Sequence, residues 1–131
     1  MPMTSAGFQQ LLARLATGWR SRDYPGVAAE FSPDVRYADP LRYQLNGRRA
    51  LLEFFQADDD KEQHVIWHLT LFDEATQTGV AEYTYEGTHQ YHGVALVRVG
   101  ADGITHWREY QHTDARPWTE FAGETAFPGQ R

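Results

Sequence analysis

Apolar residues recur every three or four positions at the start of this chain and every second position beyond its midpoint. Phe8, Leu11, Leu12, Leu15, Ala16 and Trp19 make one stripe on a helical wheel, which predicts a first helix. Asp23 has the form of an N-cap for a short second helix over residues 24–31, with Pro25 tolerated in its first turn. Ser32, Pro33 and Asp34 are expected to stop it. A short strand over 35–39 follows, ended by Pro40, and residues 43–45 pair back on it. Asn46 and Gly47 open a third helix over 48–57, with Leu51, Leu52, Phe54 and Phe55 at helical spacing. Residues 58–62 (DDDKE) read as a solvated charged loop. The period then becomes two. Residues 64–72, 79–88, 90–99 and 104–112 are rich in Val, Ile, Thr, Tyr and Trp and read as strands joined by tight turns. The tail, 115–131, has scattered Gly, Pro and aromatic residues and is expected to be irregular.

Helices first and a meander afterwards predict an α+β domain, a curved sheet wrapped cone-like around three helices of the N-terminal half. The whole chain, 1–131, is expected to be one domain with its core over about 8–114. The mouth of such a cone is a natural pocket. The long strands carry apolar or aromatic residues on both faces, as Val80 against Tyr83 and Tyr85. The helices cover one face. A second copy of the chain is the simplest cover for the other, so a homodimer through the outer sheet face is expected.

Composition narrows the classes. The formal charge is −6 with no basic run, so binding to nucleic acid is not expected. No run of about eighteen apolar residues is present, so neither is a membrane span. The N-terminus lacks the basic start and apolar run of a signal peptide, and the chain has no cysteine. A reducing cytoplasm is the expected setting. Six histidines raise the question of a metal. His64 and His68 are four strand steps apart, about 13 Å, too far for one ion. His89 and His92 would face opposite sides of a regular strand, and no metal site is expected.

Three groups of residues are candidates for chemistry. Asp39 ends a strand before Pro40 and is either a turn carboxylate or a carboxylate held in the pocket. Trp107, Glu109 and Gln111 share one face of the last strand, while His106, Arg108, Tyr110 and His112 share the other. Neither face is plainly apolar, so periodicity does not choose between them. Glu82, Thr84 and Glu86 alternate with Tyr83 and Tyr85, and tyrosines facing inward would leave the glutamates in water. His68 could reach the pocket as a hydrogen-bonding group or base, whereas Arg48 and Arg49 are expected in solvent.

The order of elements, with YADP after two helices and ITHWREY on the last strand, resembles the nuclear transport factor 2-like superfamily and its SnoaL-like branch. The residues from Gln10 to Pro40 resemble ketosteroid isomerase without a gap, and Asp39 falls at that enzyme's general base. Leu15 and Ala95 stand where it has its two oxyanion donors. DVRYADP and ITHWREY are also similar to segments of limonene-epoxide hydrolase. Tyr37 matches its water-holding tyrosine, Asp39 takes the place of its asparagine, and Glu109 matches its base carboxylate. That enzyme's arginine–aspartate pair falls near Thr84 and Glu86, and this register would turn Glu82 and Thr84 into the pocket. The resemblance implies Tyr37, Asp39 and Glu109 as catalytic residues. Leu15, Trp19, His68, Glu82, Thr84, Ala95 and Trp107 would lie around the ligand. Two carboxylates in one partly dry site would repel, raising one pKa toward neutrality. The expected activity is acid–base chemistry on a small apolar molecule, without a cofactor. The alternative is a binding or scaffold module that uses the same pocket without catalysis.

Overall fold

Thr4 starts the first helix: its hydroxyl accepts the N–H of Gly7 at 3.0 Å. This helix, α1 (Ser5–Arg20), buries Phe8, Leu11, Leu12, Leu15 and Trp19 of the predicted stripe and leaves Ala16 half-buried. The structure, a computed structural model, describes residues 2–57 and 62–127. Asp23 caps α2 (Tyr24–Ala28) by accepting the Gly26 N–H at 3.1 Å, with Pro25 in the first turn. The helix is shorter than expected because β1 (Phe31–Asp39) begins early and runs through Ser32, Pro33 and Asp34. Pro33 is tolerated there because the pairing of β1 shifts register between Phe31 and Arg36, where a missing N–H costs no ladder bond. Beside the shift, Arg48 is not in solvent: its guanidinium donates to the Phe31 carbonyl from Nε at 2.9 Å and Nη2 at 2.6 Å. It thereby ties α3 (Arg48–Ala57) to β1. Residues 58–61 of the expected charged loop lie outside the described residues. Glu62 is exposed and pairs with Arg20 and His64.

Six strands form one mixed sheet. After β2 (Tyr43–Asn46) come β3 (His64–Asp73), β4 (Thr78–Glu86), β5 (Gln90–Gly100) and β6 (Gly103–Thr113), in the spatial order β2-β1-β6-β5-β4-β3. All neighbours are antiparallel except β1 and β6, which are parallel. The two halves of the chain therefore meet inside the sheet, at that parallel pair. This is the expected α+β architecture. Phe8, Leu12, Leu15, Leu51 and Phe55 from the helices pack against Val35, Ala81, Ala95, Val97 and Trp107 on one sheet face.

Among the described residues the tail is only partly irregular. Residues Trp118–Ala122 form a short helix, α4, followed by a 3-10 turn over Gly123–Thr125. Trp118 stacks on His68 with ring centroids 4.1 Å apart, and Phe121 stacks on His92 at 4.3 Å. Three residues apart on a helix, the two rings face the same way, and docking on the sheet supplies the stability that so short a helix lacks alone. The Gln90 amide holds the approach by donating to the carbonyls of Asp114 at 2.9 Å and Arg116 at 2.7 Å. Part of the outer sheet face is thus covered by the chain itself.

Candidate functional site

The strand period decides what faces the interior. Tyr37 on β1, Tyr83 and Tyr85 on β4, and Trp107, Glu109 and Gln111 on β6 point to the helix side. With Tyr43, Trp67, Trp19 and the α3 residues Phe54 and Phe55 they enclose a cavity of about 380 Å³. That is within the usual range for a small-molecule site. Among the described residues, ten of the sixteen that line it are aromatic. Tyr37 lies flat between Trp107 and Tyr43, with centroids at 5.8 and 6.3 Å and interplanar angles of 5° and 14°.

Glu109 is the polar centre. It is only 6% exposed, and four side chains donate to it. Its Oε1 accepts from Tyr37 Oη at 3.3 Å and Trp107 Nε1 at 2.8 Å. Its Oε2 accepts from the Tyr43 hydroxyl and from Gln111 Nε2 at 3.4 Å. Gln111 Nε2 also donates to Asp39 Oδ2 at 3.2 Å, and its carbonyl accepts from the Tyr83 hydroxyl at 2.7 Å. This orientation of the amide is fixed by its neighbours, because the reverse would set a carbonyl against two carboxylates. Asp39 is 3% exposed, and its Oδ1 accepts the Leu41 N–H at 3.1 Å. Arg42 Nε is 3.8 Å from Asp39 Oδ2, and its guanidinium lies over the Tyr91 ring.

Burial pushes the Glu109 carboxyl above its ordinary range; its hydrogen bonds oppose this, and the nearby Asp39 charge adds to it. Tyr37, Tyr43 and Tyr83 are all pushed up, first by burial and then by the charge of Glu109. The phenols therefore keep their protons and serve the carboxylate as donors.

The structure brings together Tyr37, Asp39, Glu109, Trp107 and Trp19 from the candidate set. Asp39 is the turn carboxylate for Leu41 and is also buried in the network, but it is not held in the pocket. It stands behind the cavity wall and does not line it. Leu15 and Ala95 are wholly buried in the core and do not line the cavity either. Ala95 pairs with Glu109 across the β5–β6 ladder.

Glu82, Thr84 and His68 are on the opposite face. Tyr83 and Tyr85 face the cavity, so the pleat turns Glu82 and Thr84 away from it. Thr84 is nonetheless buried, between His68 Nε2 at 2.7 Å and His92 Nδ1 at 2.9 Å. His92 Nε2 faces the Arg116 carbonyl at 2.8 Å, and a carbonyl only accepts. An N–H of His92 is therefore on Nε2, and the Thr84 hydroxyl links the two imidazoles. These residues hold the tail, not a ligand in the cavity. Tyr43 and Arg42 line the cavity without having been singled out by the sequence pattern, which gave Tyr83 as one of two tyrosines that could face inward. Counting the turn from Pro40 puts Tyr43 opposite Asp39, which was the signal for it. Among the described residues no group of three His, Asp or Glu side chains is arranged for a metal ion.

A sequence profile of the SnoaL-like domain matches residues 12–111. This chain belongs to the SnoaL-like family. Its solved structural relatives share the nuclear transport factor 2-like fold at low identity. A limonene-epoxide-hydrolase-like epoxide hydrolase of Mycobacterium tuberculosis is 17% identical, with a TM-score of 0.68 over 79% of this chain and 80% of that one. A cystatin-fold protein of unknown function from Methylobium petroleophilum is 15% identical, with a TM-score of 0.75 over 89% and 81%. A protein with a ketosteroid isomerase-like fold from Catenulispora acidiphila, solved in complex with trimethylamine, is 18% identical, with a TM-score of 0.66 over 76% and 83%. Such identities carry the fold of a SnoaL-like domain and leave its chemistry to the site. No curated protein sequence matches the chain.

Proposed function

We propose that the cavity binds a small, largely apolar molecule and that Glu109 is its acid–base group, acting through Tyr43. One observation carries this reading: the Tyr43 hydroxyl, on the cavity wall, directs its proton to the buried Glu109 carboxylate. A proton leaving the substrate can pass to the phenol oxygen as the phenol hands its own proton to Glu109. No phenolate forms, which matters because burial disfavours one. Burial also raises the Glu109 carboxyl, the direction that suits a group exchanging protons near neutrality. Asp39 is then a positioning residue that holds Gln111 and Arg42, and Trp107 is both wall and donor. The donors around Glu109 face the carboxylates, and Leu15 and Ala95 offer none. At this end no neutral donor is left for an oxyanion, so charge developing on a substrate oxygen would fall to the Arg42 guanidinium, which also lines the cavity. Proton abstraction or water activation fits this arrangement, and neither draws on a cofactor.

A second reading is a binding module without turnover. It is favoured by the same carboxylate, whose oxygens already accept four hydrogen bonds. The trimethylamine complex of the Catenulispora acidiphila protein supports small-molecule binding in this fold.

Incubation in D2O with a panel of ketones, enones and epoxides, read by mass spectrometry, tests the proposal. One member should exchange or open with the wild-type protein, with the rate lowered about 100-fold or more in Glu109→Gln and Tyr43→Phe. Panel members that bind without exchange or opening would leave the binding module. The proposal extends to a cytoplasmic homodimer. Leu71 and Tyr110 are exposed on the outer face beside Val80, Val94 and Leu96, where they offer a second copy an apolar surface. No described helix is long and apolar enough to cross a membrane.

A further inference from the structure

We infer that the ligand carries a positively charged nitrogen, a protonated tertiary amine or a quaternary ammonium, on an apolar body. The inference rests on the reading of the cavity as a ligand site and names its chemical class. The direction of the donors around Glu109 is the first reason. The hydroxyls of Tyr37 and Tyr43 and the Trp107 N–H all point to Glu109, and the Gln111 amide donates to both carboxylates. The Tyr83 proton goes to Gln111. What this end of the cavity offers a ligand is therefore phenol lone pairs, ring faces and negative charge. Apart from the Arg42 guanidinium, which Asp39 and the Tyr91 ring already engage, a ligand group that accepts hydrogen bonds finds no partner here, whereas a cation is matched by all three.

Charge is the second reason. Asp39 and Glu109 are both buried, and Arg42 is the one cationic side chain among the described lining residues. Two carboxylates against one guanidinium leave the site net negative with Glu109 ionised, the form to which four donors can point. The guanidinium already rests 5.0 Å from the centre of the Tyr91 ring, so one wall of the cavity demonstrably seats a cation on an aromatic face. Size is the third. A cavity of about 380 Å³ exceeds a bare methylammonium head, and the remaining space is bounded mostly by rings, which suits an apolar body.

Calorimetry on the full chain tests this with choline and its neutral carbon isostere, 3,3-dimethylbutan-1-ol, at matched ionic strength. Tryptophan fluorescence gives a second readout, since Trp19, Trp67 and Trp107 are in the wall. Choline should bind about tenfold more tightly than the alcohol. That preference should fall as pH is lowered and Glu109 takes up a proton, while the alcohol's affinity stays level. Arg42→Gln should strengthen choline binding by removing a like charge. Glu109→Gln should bring the two probes to similar affinity, and the wild-type pH series answers the same point without a substitution. Equal or tighter binding of the alcohol would overturn the cation and leave the ligand cavity standing. Absence of binding by both probes at tens of millimolar would overturn both.

Discussion

Asp39 and Glu109, on neighbouring parallel strands, are joined through a single carboxamide. Gln111 Nε2 donates to one carboxylate at 3.2 Å and to the other at 3.4 Å. Gln111→Glu replaces these donors with a third negative group in a buried site. It should lower stability by about 3–5 kcal/mol at pH 8 and recover much of that at pH 5, as a carboxyl takes up a proton. Gln111→Leu removes the donors without adding charge and should cost about 1–3 kcal/mol, with less dependence on pH. Urea unfolding of both variants at the two pH values decides. A Glu variant no more pH-sensitive than the Leu variant would mean that the carboxylates do not share the amide.

The raised Glu109 carboxyl has a signature in stability. Its folded pKa lies above the ordinary value of 4.5, so the folded protein binds this proton more tightly than the unfolded chain does. The resulting stabilisation is complete below about pH 4.5 and is lost as pH rises through the folded pKa. Unfolding free energies of wild type and Glu109→Gln, measured from pH 4 to 8, should therefore diverge. The wild type falls relative to the variant as pH increases. A difference that grows in the opposite direction would mean that the hydrogen bonds outweigh burial.

How far the chain could be read in advance depended on what each residue had to reveal. The stripe from Phe8 to Trp19 and the period-two runs were legible because a buried face repeats many times. The last strand was half legible: periodicity put Trp107, Glu109 and Gln111 together without choosing their side. That choice is made by the partners, since Tyr37 pairs with Trp107 and Ala95 with Glu109. Thr84 was drawn to the wrong face by a register taken from an enzyme whose arginine this chain lacks. The plain alternation of Tyr83 and Tyr85 gave the right one. Five residues of α4 are too few to show a period, and their partners, His68 and His92, precede them by 50 and 29 positions.

Trp118 is the residue through which the tail is held. It is 7% exposed and stacked on His68. Trp118→Ala should cost about 2–4 kcal/mol and open the tail to chymotrypsin at Phe121 before the rest of the domain is cut. Cleavage as slow as in the wild-type protein would place the hold elsewhere, on the Gln90 and His92 bonds to the Arg116 carbonyl.

The uncovered part of the outer face predicts the oligomer. Leu71 is 59% exposed and sits beside Val80 in the β3–β4 ladder. Light scattering with size-exclusion chromatography should give a dimer for the wild-type protein and a monomer for Leu71→Arg combined with Leu96→Arg. A wild-type monomer at about 100 μM would remove this face from the proposal.

The parallel pairing of β1 with β6 has a bearing on when the site comes into being. Tyr37 and Glu109 are 72 positions apart, whereas β3 to β6 form a run of local hairpins. Hairpins close early, and contacts so distant along the chain close late. On a ribosome, the strand bearing Asp39 would wait for most of the polypeptide before its partner arrived. The carboxylates would meet only as the two halves locked. A molecule bound in the proposed site would touch both halves and, by favouring the closed form alone, would hold that final step shut.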